Sequence, residues 1–126
     1  MTTRELVELA FKVTGTFKPS AGCTAGGVGA ALVTVAGNLY TGICIDTDCS
    51  LGFCAEHSAI AEMLKARESD IRLIVAVDTD GAILVPCGRC RELIRQVSPR
   101  NTATEVIIGR DRVVRLSELL PDFDSK

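Results

Sequence analysis

One short run of the sequence limits the fold more than any other, because it needs cover on both of its faces. Ile71 to Val77, IRLIVAV, is almost continuously apolar and rich in β-branched residues. Such a run is typical of a strand buried on both sides of a sheet, whereas a strand with one wet face alternates apolar and polar residues. The chain must therefore supply packing elements for both sides of this strand.

The sequence before this strand predicts a helix, a hairpin and a second helix. We expect the first helix behind the N-cap candidate Thr3, because apolar residues then recur at helical spacing. A turn at residues 36–38 separates two apolar runs, which is typical of a β-hairpin. The predicted elements are this first helix, a Gly- and Ser-rich loop over residues 15–27, hairpin strands over 28–35 and 39–45, and a buried helix over 54–67.

Helices and strands continue to alternate after the buried strand. The predicted elements are a short strand over residues 82–85, a helix over 87–97, a strand over 105–109 that Val113 and Val114 extend or pair with, and a capped helical turn over 117–120. A hairpin followed by this alternation predicts an α/β sandwich with a mixed sheet. We expect residues 1–126 to form a single domain, because the chain contains no repeat, linker or low-complexity segment.

Composition and charge exclude several classes of partner. The 126 residues are 47% hydrophobic and 24% charged, with a formal net charge of -2, so no basic surface for nucleic acid is expected. No apolar run approaches the roughly 20 residues that a membrane-spanning helix needs. The first twelve residues, MTTRELVELAFK, are charged and amphipathic, which makes them a poor secretory signal. We therefore expect a cytoplasmic protein.

Three of the six cysteines indicate a metal site. Cys87 and Cys90 lie three residues apart at a predicted helix start, so both can reach one ion. Two thiolates leave zinc under-coordinated, and Cys54 at the start of the other predicted helix is the natural third ligand. Three protein ligands leave the fourth tetrahedral position open for water, as in a catalytic zinc site. Cys44 is interpreted as a small apolar strand residue, and Cys23 and Cys49 receive no role.

A carboxylate and two arginines accompany these thiols. Glu56 lies two residues after Cys54, in the first turn of the predicted helix, where it can move protons without binding the metal. Three thiolates on one zinc(II) give a net charge of -1, which weakens the acidity of bound water. Helix N-termini contribute partial positive charge, and Arg89 and Arg91 can add full charges and N–H donors to the sulfurs.

The two segments together resemble a known family. Cys54-Ala55-Glu56 followed by Pro86-Cys87-Gly88-Arg89-Cys90 is similar to the zinc-deaminase signature and closely resembles the small cytidine deaminases, including the related blasticidin-S deaminases. VGAALVT at residues 28–34 and LLPDF at 119–123 resemble the family's first strand and C-terminal element. The resemblance implies a three-layer α/β/α fold, one zinc ion per chain and a homotetramer.

The resemblance also implies a reaction and a set of binding residues. It implies hydrolytic deamination of a cytosine nucleoside at C4, with Glu56 protonating N3 and later helping ammonia leave. The main-chain carbonyl near Pro86 would meet the leaving amino group, and the Ala55 backbone would contact the pyrimidine edge. Phe123 would reach a ligand in an adjacent subunit; its alternative role is packing at the subunit interface.

The chain departs from the family where the sugar and the base are bound. Cytidine deaminases usually carry Asn-x-Glu on the second strand for the ribose hydroxyls, and here the aligned residues are Cys44 and Asp46. A thiol does not replace an amide, and Asp is one methylene shorter than Glu. The family's Phe ahead of the first strand is also missing. The substrate therefore stays open among cytidine, deoxycytidine, blasticidin S and another aminated heterocycle. Blasticidin S is included because PCGRCRE at residues 86–92 resembles the blasticidin-S branch of the family.

Other classes of protein fit parts of the same pattern. A structural zinc module would close the site with four ligands, Cys54, Cys87, Cys90 and His57, but it leaves Glu56 unexplained. A redox protein would use Cys87 and Cys90 as a dithiol, but it leaves Cys54 and Glu56 unexplained. In the deaminase interpretation His57 is not a ligand. It donates an N–H to a sulfur or packs structurally, at a position where many cytidine deaminases have Arg.

Overall fold

The protein is built from seven strands, four α-helices and two short 3-10 helices, Asp48–Ser50 and Pro99–Ala103, within residues 1–123, the part of the chain that the computed structural model describes. The elements are α1 Thr3–Lys12, β1 Phe17–Ser20, β2 Cys23–Thr34, β3 Leu39–Thr47, α2 Ala55–Lys65, β4 Ile71–Asp78, β5 Ile83–Leu84, α3 Gly88–Val97, β6 Glu105–Gly109, β7 Arg112–Arg115 and α4 Leu116–Leu119. The predicted alternation is therefore present in the described chain.

All seven strands belong to one mixed sheet. Its order is β1-β2-β4-β6-β7, with β3 added to β2 and β5 added to β4. Only β4 and β6 pair in parallel; the other pairs are antiparallel. The strand β4, which carries the apolar run, lies in the middle of the sheet. Its central position explains why both of its faces need cover.

Helices cover the sheet on both faces, which confirms the predicted three-layer α/β/α sandwich. On one face α1 buries Leu6 and Ala10 against alternate residues of β2 and β4, such as Leu73 and Val75. On the other face α2, α3 and α4 pack against the intervening residues, including Ile74 and Ala76. Successive side chains of a strand point to opposite faces, so a single apolar run serves two hydrophobic clusters.

A close contact between α2 and β3 sets the position of the helix that follows Cys54. Gly42 lies on β3 directly beneath α2, and a Cβ atom there would be only 2.4 Å from the backbone nitrogen of Ala59. No residue larger than glycine fits this approach of helix to strand. Gly42 therefore allows the N-terminal turn of α2, with Glu56, to pack closely on the sheet.

The structure corrects the prediction for the first 27 residues. The N-cap of α1 is Thr2 rather than Thr3, because the Thr2 hydroxyl accepts from the Glu5 N–H while the Glu5 carboxylate accepts from the Thr2 N–H. The predicted loop over residues 15–27 contains β1 and the first part of β2. Residues 23–25 pair with β1 on one side and β3 on the other, and this pairing overrides the low intrinsic strand preference of Ala25 and of the two glycines after it.

The remaining elements match the prediction or differ from it by one or two residues at their ends. Cys54 and Cys87 are N-caps that precede α2 and α3, rather than the first residues of those helices. The pair Val113 and Val114 lies in β7, which pairs with β6, and α4 begins one residue before the predicted turn. None of the helices within residues 1–123 is long and apolar enough to cross a membrane.

The buried amide of Asn101 ties together the ends of several elements. It accepts a hydrogen bond from the Ile71 N–H at 2.9 Å and donates to the carbonyls of Ser69 and Ile94, each at 2.9 Å. Asn101→Ala leaves these backbone groups buried and unpaired, so we expect a loss of roughly 2–4 kcal/mol in the free energy of unfolding. Urea denaturation measures this change.

Asn38→Ala provides the matched control. Asn38 is exposed and its side chain makes one hydrogen bond, to Glu68, so its loss is expected to cost less than about 1 kcal/mol. Equal losses for the two variants would contradict the role assigned to Asn101.

Candidate metal centre and active site

Two helix N-termini carry the three thiols that the sequence singled out. Cys54 is the N-cap of α2 and Cys87 is the N-cap of α3, and neither side chain makes a capping hydrogen bond. Both thiols are therefore available for other partners. Cys90 lies one turn into α3 and is fully buried. The partial positive charge of a helix N-terminus favours thiolate over thiol at such positions.

The three sulfur atoms lie close enough together to hold one metal ion. The Sγ atoms of Cys54 and Cys87 are 3.5 Å apart, and those of Cys87 and Cys90 are 3.4 Å apart. All three lie within 4.8 Å of one another. Tetrahedral zinc with Zn–S bonds of about 2.3 Å places its sulfurs about 3.8 Å apart. The observed separations fit this requirement, so the donor set suits zinc.

The electrostatics of the thiols also favour a bound cation. Burial raises the pKa of Cys90, and the nearby Glu56 carboxylate raises it further. Burial likewise raises the pKa of Cys54. For Cys87 burial acts in the same direction, but hydrogen bonds led by the Cys90 backbone N–H lower the pKa overall. Without a cation the three thiols do not ionise together, whereas a divalent ion among them stabilises all three as thiolates.

Glu56 is the ionisable carboxyl buried beside these thiols. It lies in the first turn of α2 and is only 5% exposed. Burial raises its pKa, against a smaller opposite effect of its hydrogen bonds with its own backbone N–H and with the Cys90 thiol. A carboxyl group with a raised pKa is suited to accept and return a proton during a reaction.

A cavity of about 570 Å³ opens beside the thiols and the carboxyl. This volume lies within the range of about 300–1,000 Å³ that is typical of small-molecule sites. Cys54, Glu56 and Cys87 lie on its wall. The other lining residues come from β2, β3, the segment before α2, β4, β5 and the start of α3: Gly27, Val28, Cys44, Ile45, Asp46, Thr47, Ser50, Gly52, Phe53, Ala55, Ala76, Leu84, Val85 and Arg89.

Three of the five predicted substrate-binding residues line this cavity, namely Ala55, Cys44 and Asp46. Pro86 does not line it; Pro86 is buried and lines a second, narrow gap with Glu56. Phe123 is also absent from the cavity wall. Its ring packs against the guanidinium of Arg95, 4.6 Å from the ring centroid. Within one chain, therefore, Phe123 belongs to the surface of α3.

The three residues predicted to surround the sulfurs have different neighbours. Arg89, which lies between Cys87 and Cys90 in the sequence, lines the cavity. Arg91 donates to the carbonyl of Pro86 at 2.9 Å and to that of Leu119 at 3.0 Å. The His57 ring stacks on Phe53, with centroids 6.3 Å apart, and its buried Nε2 has no hydrogen-bond partner in the described chain. Burial, followed by the charge of Arg89, lowers the pKa of His57.

Some of the cavity wall had no signal in the sequence. Phe53 lines the cavity because its backbone forms two 3.0 Å hydrogen bonds with Ile45 of β3, an isolated pairing by a residue that lies outside the predicted strands. Ser50 and its neighbour Cys49 adopt positive φ angles of 55° and 60°. Gly27 belongs to the part of β2 that lies inside the predicted loop, whereas Val28 was predicted as the start of a strand. Only the motif next to Cys54 could have drawn attention to Phe53.

Three convergent thiols, one buried carboxyl and a small-molecule cavity together define a zinc-dependent hydrolase. Within residues 1–123 no fourth ligand joins the thiol group, and His57 lies outside it. This arrangement fits the open coordination of a catalytic zinc site better than the closed coordination of a structural one.

Comparisons with known proteins point to one family of such hydrolases. The family model for the "cytidine and deoxycytidylate deaminase zinc-binding region" matches residues 2–106. A cytidine deaminase of Mycobacterium tuberculosis is 31% identical over 97 residues, which are 75% of this chain and 70% of that protein. A cytidine deaminase of Halalkalibacterium halodurans is 31% identical over 98 residues, 75% of this chain and 74% of that protein.

Solved structures agree with the sequence comparisons. The crystal structure of the Mycobacterium tuberculosis cytidine deaminase has a TM-score of 0.81 at 27% identity, covering 97% of this chain and 96% of that chain. That of the Burkholderia pseudomallei enzyme has a TM-score of 0.76 at 29% identity, covering 97% and 98%. The chain therefore belongs to the cytidine and deoxycytidylate deaminase family. Hydrolytic deamination with zinc is the function of this family.

Zinc analysis of purified protein tests the thiol cluster. We expect about one zinc per chain, because the three sulfurs match one tetrahedral ion. Cys90→Ala removes a buried ligand and is expected to lower the zinc content by more than about tenfold at equal free zinc. Elemental analysis after dialysis against a weak chelator measures it.

Cys23→Ala is the control for this measurement, since Cys23 lies outside the thiol group and should leave the zinc content at the wild-type value. Retention of full zinc by Cys90→Ala would contradict the assignment.

Proposed function

We propose that this chain converts a cytosine nucleoside to the corresponding uracil nucleoside with release of ammonia, acting as a single domain over residues 1–126. The observation that carries the proposal is the position of Glu56. Its buried carboxyl lies on the wall of the cavity that also exposes the thiols of Cys54 and Cys87. The relatives named cytidine deaminases support a cytosine nucleoside as the substrate.

Cys54, Cys87 and Cys90 are the residues that would hold the zinc ion, and Cys54 and Cys87 lie on the cavity wall. When bound, zinc supplies a Lewis acid that makes water nucleophilic at neutral pH. The excess negative charge of three thiolates needs an offset. The N-termini of α2 and α3 provide part of it, and Arg89 on the cavity wall provides a full positive charge.

Glu56 is proposed to carry the protons of the reaction. Its carboxylate accepts a proton from the attacking water and delivers one to N3 of the cytosine ring, which makes C4 more electrophilic. The carboxylate then takes the remaining proton from the hydroxyl now bonded to C4 and passes it to the amino group, so that the C4–N bond breaks, C4 becomes a carbonyl and ammonia leaves. Burial supports this role, because it raises the pKa of Glu56 and brings the two protonation states closer in free energy.

The backbone near the metal is proposed to hold the base. Ala55 lies on the cavity wall between Cys54 and Glu56, where its backbone can contact the pyrimidine edge. The main-chain carbonyl for the amino group that leaves is near Pro86, where Val85 lines the cavity. Pro86 itself does not line the cavity, and its carbonyl accepts a hydrogen bond from Arg91. Arg91 therefore acts on the site by orienting this carbonyl, rather than by contacting a sulfur.

His57 is proposed to support the site without binding metal or substrate. Its backbone N–H donates to the Cys54 carbonyl at 3.1 Å, and its ring stacks on Phe53 of the cavity wall. These contacts hold the first turn of α2 against the segment that precedes it. The free Nε2 retains the capacity to donate to, or accept from, a further group.

We also propose that the active form is a homotetramer in the cytoplasm. Several large apolar side chains are exposed in the single chain, among them Leu51 at 80% and Val35 at 67%, and a subunit interface would cover such residues. Phe123, 40% exposed beside Arg95, is proposed to approach a ligand of the adjacent subunit. A reducing compartment suits the site, because its thiols must stay reduced to bind metal. Light scattering measures the oligomeric state.

Glu56→Gln tests the proton-transfer role. The substitution keeps the size of the side chain but removes its acidity, so we expect kcat for cytidine to fall roughly 10²- to 10⁴-fold while zinc stays bound. The decrease in ultraviolet absorbance and the release of ammonia measure the rate. Glu62→Gln is the matched control, since Glu62 is an exposed glutamate of the same helix. A Glu56→Gln enzyme with the wild-type rate would rule out the proposed mechanism.

A second candidate substrate is a cytosine nucleoside analogue such as blasticidin S. The sequence PCGRCRE at residues 86–92, with Arg89 between the two cysteines, favours this candidate because it resembles the blasticidin-S branch, although that branch normally keeps the Asn that Cys44 replaces here. Assays with cytidine, deoxycytidine, cytosine and blasticidin S separate the two. We expect the highest kcat/KM for cytidine or deoxycytidine. A blasticidin S value more than about tenfold higher would instead favour the second candidate.

A further inference from the structure

The guanidinium of Arg91 joins two parts of the chain that are far apart in the sequence. Its Nε donates to the Pro86 carbonyl at 2.9 Å, and its Nη1 donates to the Leu119 carbonyl at 3.0 Å. Pro86 lies in the turn between β5 and α3, and Leu119 is the last residue of α4. The N–H donors of a guanidinium are fixed in one plane, so these two bonds hold the turn and the end of α4 in a set relation.

The turn that Arg91 holds leads directly into one of the three thiols. Cys87 follows Pro86, and its carbonyl accepts a hydrogen bond from the main-chain N–H of Arg91 at 3.0 Å. The side chain and the main chain of Arg91 thus hold two consecutive carbonyls. The strand before the turn, β5, has only two residues and gives the turn little support. Cys87 is exposed whereas Cys90 is buried inside α3, so the position of Cys87 depends more strongly on this turn.

The other carbonyl belongs to the C-terminal segment, residues 119–123. Carbonyls at the C-terminus of a helix lack an intrahelical donor, and Arg91 provides one for Leu119. One turn further along α3, the guanidinium of Arg95 lies 4.6 Å from the ring centroid of Phe123. Residues four apart lie on the same face of a helix. Two arginines on one face of α3 therefore contact this segment at its two ends.

We infer that Arg91 is a positioning residue of the metal centre, which links the turn before Cys87 to the C-terminal segment and thereby slows the release of zinc. The inference goes beyond the proposed function, because it gives the C-terminal segment of the same chain a part in metal retention. It rests on zinc binding by the three thiols and not on the identity of the substrate. The role is geometric, since the two side-chain hydrogen bonds of Arg91 go to carbonyls rather than to sulfurs.

The rate of zinc release from the zinc-loaded protein tests this role. An excess of a chromogenic chelator captures the metal, and the absorbance gives the rate constant. Arg91→Gln should raise the rate roughly tenfold or more, the usual effect of losing a group that orients a metal ligand, because one amide does not reach both carbonyls. Arg91→Lys keeps the charge but has no planar fork, so it should release zinc nearly as fast as Arg91→Gln. A wild-type rate in either variant would overturn the inference.

Two further variants separate this role from a general loosening of the protein. Arg110→Gln changes an exposed arginine that does not line the cavity, and it should keep the wild-type rate. Asn101→Ala removes the hydrogen bond to the Ile94 carbonyl near the opposite end of α3, and its rate should stay within about threefold of the wild-type rate. Equal acceleration by Asn101→Ala and Arg91→Gln would mean that any loss of helix packing frees the metal, which contradicts the inference.

A double-variant cycle tests the part played by the C-terminal segment. Phe123→Ala removes the ring from Arg95 and should raise the rate of zinc release roughly two- to fivefold, the worth of one cation–π contact. In the Arg91→Gln background the same change should add nothing, because the link to the turn is already lost. Additive effects, or no effect of Phe123→Ala alone, would contradict the inference.

Amide hydrogen exchange tests the link in the wild-type chain. Coupling between two sites is reciprocal, so removal of zinc should speed exchange in residues 116–120 of the wild-type protein. The same removal should change these residues much less in Arg91→Gln. The helix α1 packs on the other face of the sheet and provides the internal control. No change in residues 116–120 of the wild type, or an equal change in α1, would count against the link.

Failure of the inference can be told apart from failure of the proposed function. Zinc that binds but leaves the wild type and Arg91→Gln at the same rate overturns the inference alone. A protein that shows the expected difference in zinc release but deaminates no cytosine nucleoside supports the inference and disproves the proposed function.

Discussion

The site depends on the meeting of two helix N-termini at one place on the sheet. α2 and α3 pack on the same face, and each begins at a cysteine. The thiols of Cys87 and Cys90 approach each other through local helix geometry, but Cys54 reaches them only because both helices are fixed on the sheet. Close packing of α2 on β3 at Gly42 is part of that arrangement. The metal centre is therefore a product of the layer packing.

Burial of acidic groups gives this site its chemistry and also its need for positive charge. Removing thiols and a carboxyl from water raises the pKa of Cys90, Cys54 and Glu56. We propose that a divalent ion, two helix N-termini and Arg89 supply the positive charge that stabilises the thiolates. Burial raises the pKa of Glu56, which lies beside the thiol group without being part of it. Burial thus makes Glu56 suited to carry protons, while the three thiols beside it are suited to bind a metal ion.

The sheet around β4 could be predicted because its signals are local. An apolar run with β-branched residues, a turn at residues 36–38 and helical spacing of apolar residues each act over a few neighbours. Residues 15–27 were wrongly predicted as a loop because their strand character comes from partners. β1 and β3 pair on both sides of residues 23–25, and neither pairing leaves a trace in these small residues. Thr2 was missed as the N-cap because Thr3, the next residue, has the same side chain.

The sequence by itself determined the three thiols, the carboxylate at Glu56 and the family, because the spacing within each short motif is a property of neighbouring residues. The tertiary structure alone decided how those motifs meet and what forms the rest of the cavity. It placed His57 on Phe53 and Arg91 on the Pro86 carbonyl. It also gave Cys44 two hydrogen-bonding partners that its apolar surroundings in the sequence did not suggest. Such contacts join residues from different elements, and only packing brings those elements together.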